Sequence, residues 1–384
     1  MKSPELLLPA GGLERMRTAF DYGADAVYAG SPRYSLRARN NEFAKLDVLE
    51  TGIREAHERR KKFFLTVNTL PHNSKLKTFM SDMEPLIKMK PDALIMADPG
   101  LIMNVRERWP EMPIHLSVQA NTTNYWGVKF WQKMGVERII LSRELSIEEI
   151  AEIRQECPDI EIEVFVHGAL CIAYSGRCLL SGYFNHRDPN QGTCTNACRW
   201  DYKVHEAGDS DAGDAQLLSG FNFNQAQEEA NFAFEGINGQ VRHPAADKVF
   251  LIEEDNRPGE LMPIMEDEHG TYIMNSKDLR AIEQVAKLVE IGVDSLKIEG
   301  RTKSVYYVAR VAQSYRKAVD DAVAGRSFDF SLLSELEGLA NRGYTPGFLE
   351  RHQTKDYQNY LSGHSLAKQS QFVGQVTEID NEGW

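Results

Sequence analysis

The sequence predicts an α/β fold, a (β/α)₈ barrel of the TIM type, from three observations. Short segments rich in Val, Ile, Leu and Phe alternate with amphipathic helices, as expected of parallel strands covered on both faces. A glycine followed by an acidic residue and an apolar strand recurs at Gly23, Gly135 and Gly292, where a helix can end in a left-handed residue. Eight such strands favour a closed barrel, with a doubly wound sheet as the alternative.

The predicted strands follow one another along the chain at intervals that leave room for a helix between most pairs. They are Glu5–Pro9, Ala26–Gly30, Phe63–Asn68, Ala93–Asp98, Ile114–Gln119, Arg138–Ser142, Ile160–His167 and, much later, Ser295–Glu299. The helix after the eighth strand is predicted from apolar residues that share one face: Val305, Val308, Ala312, Tyr315 and Val319.

Four segments divide the chain. Residues 1–169 form the first part of the barrel, 170–275 a cysteine-bearing insertion between strands seven and eight, 276–350 the rest of the barrel, and 351–384 a linker and the start of a small C-terminal β domain. Within the insertion, residues 204–243 are rich in Gly, Asp, Asn, Gln and Glu, which predicts a mobile surface segment partly ordered by its phenylalanines. Residues 250–274 are strand-like again.

Composition excludes several classes of protein. The formal net charge of −12 argues against a non-specific DNA or RNA binder. No apolar segment is long enough to cross a bilayer, and the first apolar run, which ends at Pro9, is too short for a signal peptide. We therefore expect a cytoplasmic protein. Five cysteines are too few for a disulfide scaffold in a chain of 384 residues.

Four of those cysteines lie close together. Cys171, Cys178, Cys194 and Cys198 have the spacing C-x6-C-x15-C-x3-C, with glycines around them. Clustered thiolates in a reducing compartment bind an iron–sulfur cluster or zinc, and buried structural thiols are the remaining alternative. Paired zinc knuckles are more closely spaced than Cys171 and Cys178, which favours the cluster.

The residues around the first two cysteines carry a resemblance. The segments Glu163–Cys171 and Gly176–Ser181 are similar to the signature of the U32 peptidase family, as are Leu7–Gly11, Tyr34–Arg37 and Lys297–Arg301. The segment Asn190–Trp200 resembles a branch of that family that modifies tRNA. The resemblance implies an enzyme that makes 5-hydroxyuridine at the wobble position of tRNA, with prephenate as hydroxyl source and without dioxygen. It also implies a [4Fe–4S] cluster on the four cysteines.

Candidate site residues follow from the barrel, since reactive groups lie at the carboxyl ends of the strands. Prephenate has two carboxylates, which guanidinium groups bind in forked pairs. We assign substrate binding to Arg37, Arg143, Arg301 and Gln119, and catalysis to His167, Glu299 and Asn68. Ordinary ion pairs, and a satisfied histidine at a strand end, are the alternatives for these residues.

The anticodon loop of tRNA is the implied macromolecular partner, and its wobble base can be flipped into a pocket. The run Arg59–Lys62 is a candidate RNA-facing surface, or else a solvated helix end. A collagenase-like U32 peptidase and a non-catalytic iron–sulfur assembly partner remain alternatives. The sequence has neither a His-Glu-x-x-His motif nor a Gly-x-Ser-x-Gly motif, which disfavours the peptidase.

Overall fold

The structure is a computed structural model that describes residues 2–36, 41–170, 277–339, 341 and 343–350, and the backbone of six short strands between residues 202 and 271. The strands are β1 Glu5–Pro9, β2 Ala26–Gly30, β3 Lys62–Val67, β4 Ala93–Met96, β5 Ile114–Leu116, β6 Arg138–Ile140, β7 Glu161–Ala169, β8 Tyr202–Asp209, β9 Ala215–Leu217, β10 Phe250–Glu254, β11 Leu261–Ile264, β12 Glu266–Asp267, β13 Gly270–Thr271, β14 Asp278–Arg280, β15 Ser295–Ile298 and β16 Tyr344–Thr345. The helices, numbered along the described residues, are α1 Leu13–Asp21, α2 Leu46–Glu58, α3 Asn73–Lys88, α4 Pro99–Arg108, α5 Tyr125–Lys133, α6 Ile147–Glu156, α7 Val285–Ile291, α8 Val305–Val323 and α9 Ser331–Glu337.

Eight parallel strands close into a barrel, which confirms the predicted fold. Strands β1 to β7 pair in sequence order, and β15 pairs in parallel with both β7 and β1. The closing registers place Ser295 opposite Glu163 on one side and opposite Glu5 on the other. Leu6, Leu7 and Leu8 are fully buried in succession, because the lumen covers one face of β1 and helices cover the other.

Side-chain caps fix where the helices after the strands begin. Asp98 accepts the backbone N–H of Leu101 at 2.9 Å at the start of α4, and Asn124 accepts that of Gly127 at 2.9 Å at the start of α5. Ser146 and Glu149 form a reciprocal capping box at α6. Each cap satisfies donors that a helix N-terminus leaves without partners, so these polar residues after the strands have a structural role.

The glycines that follow α1, α5 and α7 have the predicted left-handed backbone. The φ angles of Gly23, Gly135 and Gly292 are +105°, +79° and +84°. In α8 the predicted apolar face is also confirmed, since Val308, Ala312 and Tyr315 are fully buried. None of the helices in the described residues is both long and apolar enough to cross a membrane.

Two strands that the sequence did not predict extend the barrel sheet at its mouth, which is the end where the barrel strands have their carboxyl ends. Strand β14 pairs antiparallel with the end of β7, where Asp278 lies opposite Ala169, and β16 pairs in parallel with β14. A separate antiparallel sheet has the order β11-β10-β8-β9. Strand β8 falls largely within residues 204–243, which the sequence predicted as a mobile surface segment. Composition did not predict this strand because its backbone partners come from β10, which is distant in the sequence. The predicted C-terminal β domain lies outside the described residues.

Candidate active site

The barrel lumen is charged at its N-terminal end, where a closed ion-pair network lies. Arg138, at the start of β6, donates from Nη1 to Glu5 at 2.6 Å and to Glu163 at 3.0 Å. Its Nη2 lies 2.7 Å from Oε2 of Glu161. On the far side of Glu163, Lys297 donates to Oε1 at 2.7 Å. Each of these cations therefore has a carboxylate partner inside the barrel.

Burial and charge act in opposite directions on this network. Burial lowers the pKa of Arg138, but the carboxylates of Glu163 and Glu5 raise it above the ordinary value. Burial also lowers the pKa of Lys297, although Glu163 opposes that shift. The His115 ring packs at 4.7 Å from that of Phe64 in the same part of the lumen, and burial holds the pKa of His115 well below its usual value. His115 is therefore neutral at pH 7.

At the carboxyl end of the strands, Arg301 defines one side of the mouth. Its Nη1 donates to Oγ of Ser35 at 2.7 Å and to Oγ1 of Thr66 at 3.1 Å, and its side chain is buried. Asn68, two residues beyond Thr66, accepts the backbone N–H of Leu36 at 3.4 Å. The loop after β2 thus joins Arg301 and Asn68 in one cluster, with neutral oxygens as the acceptors of these guanidinium hydrogen bonds.

Arg143, which follows β6, defines the opposite side of the mouth. Its guanidinium carbon lies 4.0 Å from the centre of the Phe165 ring, and its Nη1 donates to the backbone oxygen of Ala169 at 2.7 Å. Between the two sides, Nζ of Lys297 lies 4.4 Å from the ring centre of Tyr28 and 5.4 Å from that of Phe165. The guanidinium carbon of Arg301 lies 5.9 Å from the Tyr28 ring centre, so three cations lie near two aromatic rings.

Several buried polar atoms at the carboxyl ends of the strands have no hydrogen-bond partner among the described residues. Within the described part of the chain, they include Nε of Arg143, Nε2 of Gln119, Oγ1 of Thr122 and Oγ1 of Thr69, all just beyond strand ends. Ser142 donates its backbone N–H to the carbonyl of Thr122 at 3.1 Å, so the loop after β5 lies against the end of β6. Because an unsatisfied buried polar group costs about 1–3 kcal/mol, such a cluster indicates a ligand site.

Comparison with known proteins gives the same family as the sequence segments. Residues 11–359 match the Peptidase family U32. This chain belongs to the U32 family. It is 63% identical over 378 residues to the "tRNA hydroxylation protein P" of Escherichia coli (strain K12), which covers 98% of this chain and 81% of that protein.

Two further relatives extend the comparison of this U32 chain. It is 62% identical to the "tRNA hydroxylation protein P" of Haemophilus influenzae over 99% of this chain and 81% of that protein. It is also 29% identical to the "23S rRNA 5-hydroxycytidine C2501 synthase" of Escherichia coli, over 84% of this chain and 40% of that protein.

His167 does not face the lumen with the other candidates. The register between β15 and β7 shifts after Lys297, so that His167 lies opposite Ile298, whose side chain faces away from the lumen. The His167 ring packs among Tyr307 and Tyr315 of α8 and Tyr344, with ring centres 5.4–5.8 Å away. The structure therefore places His167 between the barrel wall and α8.

Hydrogen bonds around His167 indicate its protonation state. The Tyr315 hydroxyl donates to the backbone oxygen of Val166 at 2.7 Å and lies 3.3 Å from Nδ1 of His167. With its proton directed at Val166, that hydroxyl accepts from Nδ1, and Nε2 is left without a proton. Burial, together with the charges of Lys303 and Arg280, lowers the pKa of His167 to about 3. The ring is thus neutral at pH 7.

Glu299 follows β15 at the mouth, and its backbone is held in a tight contact with β7. Its N–H donates to the carbonyl of His167 at 2.8 Å, and its own carbonyl accepts the Tyr307 hydroxyl at 2.9 Å. Gly168 has a φ of +103°, and a Cβ there would lie 2.6 Å from the Glu299 oxygen. Only glycine fits at this contact.

The remaining candidates lie outside the described residues: Arg37, Cys171, Cys178, Cys194 and Cys198. Strand β7 ends at Ala169, and Leu170 follows it at the mouth. Elsewhere in the described ranges, no group of three or more His, Cys, Asp or Glu side chains could hold a metal ion.

Sequence reasoning missed Ser35, Thr66, Thr122 and Phe165 as mouth residues. Thr66 could have been found from period-two alternation, because Phe64, Thr66 and Asn68 share the inner face of β3. Phe165 is on the inner face of β7 by the same count. Ser35 and Thr122 lie in loops, for which periodicity carries no signal.

Proposed function

We propose that this chain is a tRNA hydroxylase that forms 5-hydroxyuridine at the wobble position, with prephenate as co-substrate and a [4Fe–4S] cluster as cofactor. The names of the relatives from Escherichia coli and Haemophilus influenzae support the reaction class. The relative named for 5-hydroxycytidine synthesis supports hydroxylation at C5 of a pyrimidine as the shared chemistry.

The observation that carries the co-substrate proposal is the pair of guanidinium groups on opposite sides of the mouth. Arg301 donates to the hydroxyls of Ser35 and Thr66, and Arg143 donates to a backbone carbonyl while its buried Nε has no partner in the described structure. A guanidinium binds a carboxylate more strongly than it binds a neutral oxygen. Two such groups at the same end of the barrel therefore suit a small dicarboxylate such as prephenate.

The cysteines are the proposed cluster ligands. Four thiolates would hold a [4Fe–4S] cluster, which would bind or tune a reactive intermediate at the mouth. Cys171 follows the last residue of β7 by only two positions in the sequence, which supports a cluster at the carboxyl end of the strands. The fold of the described residues thus supports the cluster, the co-substrate and the base meeting at one end of the barrel.

A wobble uridine would reach the mouth by base flipping, which is inexpensive in an anticodon loop. A peptidase is less well supported by the geometry. Among the described residues, the ring of His57 hydrogen-bonds to Asp92 and that of His167 to Tyr315. Neither partner is a serine or cysteine nucleophile.

The experiment is an anaerobic reaction of purified protein with unmodified tRNA and prephenate, followed by mass spectrometry of the nucleosides. Loss of CO2 and the hydroxyl from prephenate is redox-neutral, whereas conversion of C5–H to C5–OH gives up two electrons, so the mixture also contains a two-electron acceptor. We expect 5-hydroxyuridine that requires prephenate and forms without dioxygen, and an ¹⁸O label in the prephenate hydroxyl should appear in the product. A label that comes from water instead would contradict prephenate as the hydroxyl source.

The cluster is tested on the same preparation with a Cys194→Ser variant beside the wild type. We expect about four irons and four sulfides per chain in the wild type and their loss in the variant. Zinc in place of iron, or no metal under strict anaerobiosis, would reject the cluster and favour a thiol-dependent peptidase.

A further inference from the structure

We infer that Gln119 is the residue that selects uracil over cytosine, by donating a hydrogen bond from its carboxamide to O4 of the flipped base. This inference rests on the proposed function and adds the group that reads the base. Gln119 is buried in the short 3₁₀ turn after β5, on the mouth side of the barrel.

The orientation of the Gln119 amide is set by Ser117. The Ser117 hydroxyl accepts the backbone N–H of Gln119 at 3.4 Å and donates its own proton to Oε1 at 3.3 Å. That contact occupies the acceptor end of the amide. The donor end, Nε2, is buried and has no hydrogen-bond partner in the described residues. The site thus presents a neutral donor that lacks an acceptor.

Uracil and cytosine differ at the position next to C5. Uracil carries the O4 acceptor there, whereas cytosine carries an N4 amino donor. A fixed amide donor satisfies O4 but meets the cytosine amino group donor to donor, which leaves both groups unpaired. Since hydroxylation occurs at C5, a base placed for the reaction has its C4 substituent beside the reacting carbon.

The neighbours of Gln119 favour a base rather than a carboxylate as its partner. A carboxylate is bound best by charged, forked donors, which Arg143 and Arg301 supply. Gln119 is neutral, and Thr122, three residues later, offers another neutral side chain with a buried hydroxyl that lacks a partner in the described residues. Neutral donors at a pocket wall are suited to carbonyl groups of a base.

The test compares anticodon stem–loops that carry U or C at the wobble position, with the full chain under anaerobic conditions. Binding is measured by fluorescence anisotropy, and hydroxylation by mass spectrometry. We expect the wild type to prefer U by at least about tenfold. Gln119→Glu, which presents an acceptor in nearly the same shape, should abolish this preference.

Two variants serve as controls for this substitution. Gln132→Glu makes the same chemical change on the exposed surface of α5 and should leave the U-to-C preference as in the wild type. Ser117→Ala removes the proton that fixes Oε1, and it should weaken the preference less than Gln119→Glu does, because the amide can then rotate. Unchanged thermal unfolding of Gln119→Glu shows that it is folded.

The outcomes separate this inference from the proposed function. Equal binding of U and C stem–loops by the wild type, or an unaltered preference in Gln119→Glu, would overturn the role of Gln119. A raised KM for prephenate with an unaltered preference would assign Gln119 to the co-substrate instead. Selective binding of U that Gln119→Glu abolishes, without any hydroxylation by the wild type, would uphold base reading and reject the proposed reaction.

Discussion

The two ends of the barrel lumen both contain buried arginines, but the acceptors differ. At the N-terminal end, Arg138 contacts three carboxylates, those of Glu5, Glu161 and Glu163. At the mouth, Arg143 and Arg301 donate to neutral oxygens in the hydrogen bonds described above. Carboxylates therefore accept the hydrogen bonds of the arginine at the first end, whereas hydroxyls and a backbone carbonyl accept those named for the two arginines at the mouth.

This difference separates stability from binding. A buried charge that loses its partner is strongly destabilising, because the other charge remains out of water. The hydroxyls of Ser35 and Thr66, which accept hydrogen bonds from Arg301, stay neutral when that guanidinium is removed. We therefore expect substitutions at the N-terminal end to affect unfolding and substitutions at the mouth to affect ligand binding.

The largest effect is expected for Arg138→Met. This change leaves Glu163 fully buried with Lys297 as its remaining cation. It also removes the cation paired with Glu161 and leaves Glu5 with Lys62. The free energy of unfolding should fall by about 3–5 kcal/mol, measured by urea denaturation.

Arg54→Met, which breaks an exposed pair with Glu58 within α2, is the control and should cost about 0.5 kcal/mol or less. Similar losses in the two variants would remove the distinction between the ends.

The second effect is on the co-substrate and is expected for Arg301→Met. The affinity for prephenate, measured by calorimetry, should fall about 10- to 100-fold, as for a lost charged hydrogen bond. Stability should change by about 1 kcal/mol or less, because Ser35 and Thr66 still lie within hydrogen-bonding distance of each other, at 3.1 Å. Arg301→Lys keeps the positive charge but loses the forked pair of donors, so its affinity for prephenate should lie between those of the wild type and Arg301→Met. A large stability loss with unchanged affinity would show that the mouth is built like the opposite end.

The third effect is on the pH dependence of stability and involves His167. Its pKa is lowered to about 3 in the folded chain, against about 6.5 when unfolded, so the unfolded chain binds a proton that the folded chain does not. This contribution is intact above pH 6.5 and is lost as the pH falls towards 3, by up to about 1.4 kcal/mol per pH unit. In urea denaturation between pH 6 and 5, His167→Phe should lose stability less steeply than the wild type. Parallel slopes would mean that His167 is not buried as a neutral ring.

The sequence predicted the barrel well because its signals are local and repeated. The bounds of β1 and β2 agree residue for residue, and the glycines after three helices have the expected φ angles. Strands β4, β5 and β6 end two or three residues earlier than predicted, because polar residues such as Asp98 and Ser117 cap the next element instead of extending the strand.

The site was less predictable because it depends on which way side chains face. His167 illustrates this point, since one shift of register between β7 and β15 turns the ring away from the lumen. The orientation of the Gln119 amide is likewise set by the hydroxyl of Ser117 two residues away, and no sequence motif contains that pair. The cysteine ligands and Arg37 stay predictions, because they lie outside the described residues.

The basic run Arg59–Lys62 extends the comparison of the two ends to the outer surface of the barrel. It joins the end of α2 to the first residue of β3, so it lies at the N-terminal end of the barrel, opposite the mouth. Within it, Arg59 pairs with Asp21 at 2.6 Å and Lys61 with Asp25 at 3.4 Å. A wobble base inserted at the mouth would place the anticodon loop on the other face of the molecule.

The smallest effect is therefore expected for Arg60→Gly, which removes a cation from this run. Arg60 has a φ of +58° after α2, a left-handed position that glycine adopts without strain, so stability should rise by about 0.5–1 kcal/mol. Lys90→Gly, at φ +57° after α3 and outside the run, is the matched control and should behave alike. Urea denaturation measures both, and anisotropy with an anticodon stem–loop should show unchanged affinity. A loss of RNA affinity in Arg60→Gly but not in Lys90→Gly would place RNA on the N-terminal face and overturn the assignment of binding to the mouth alone.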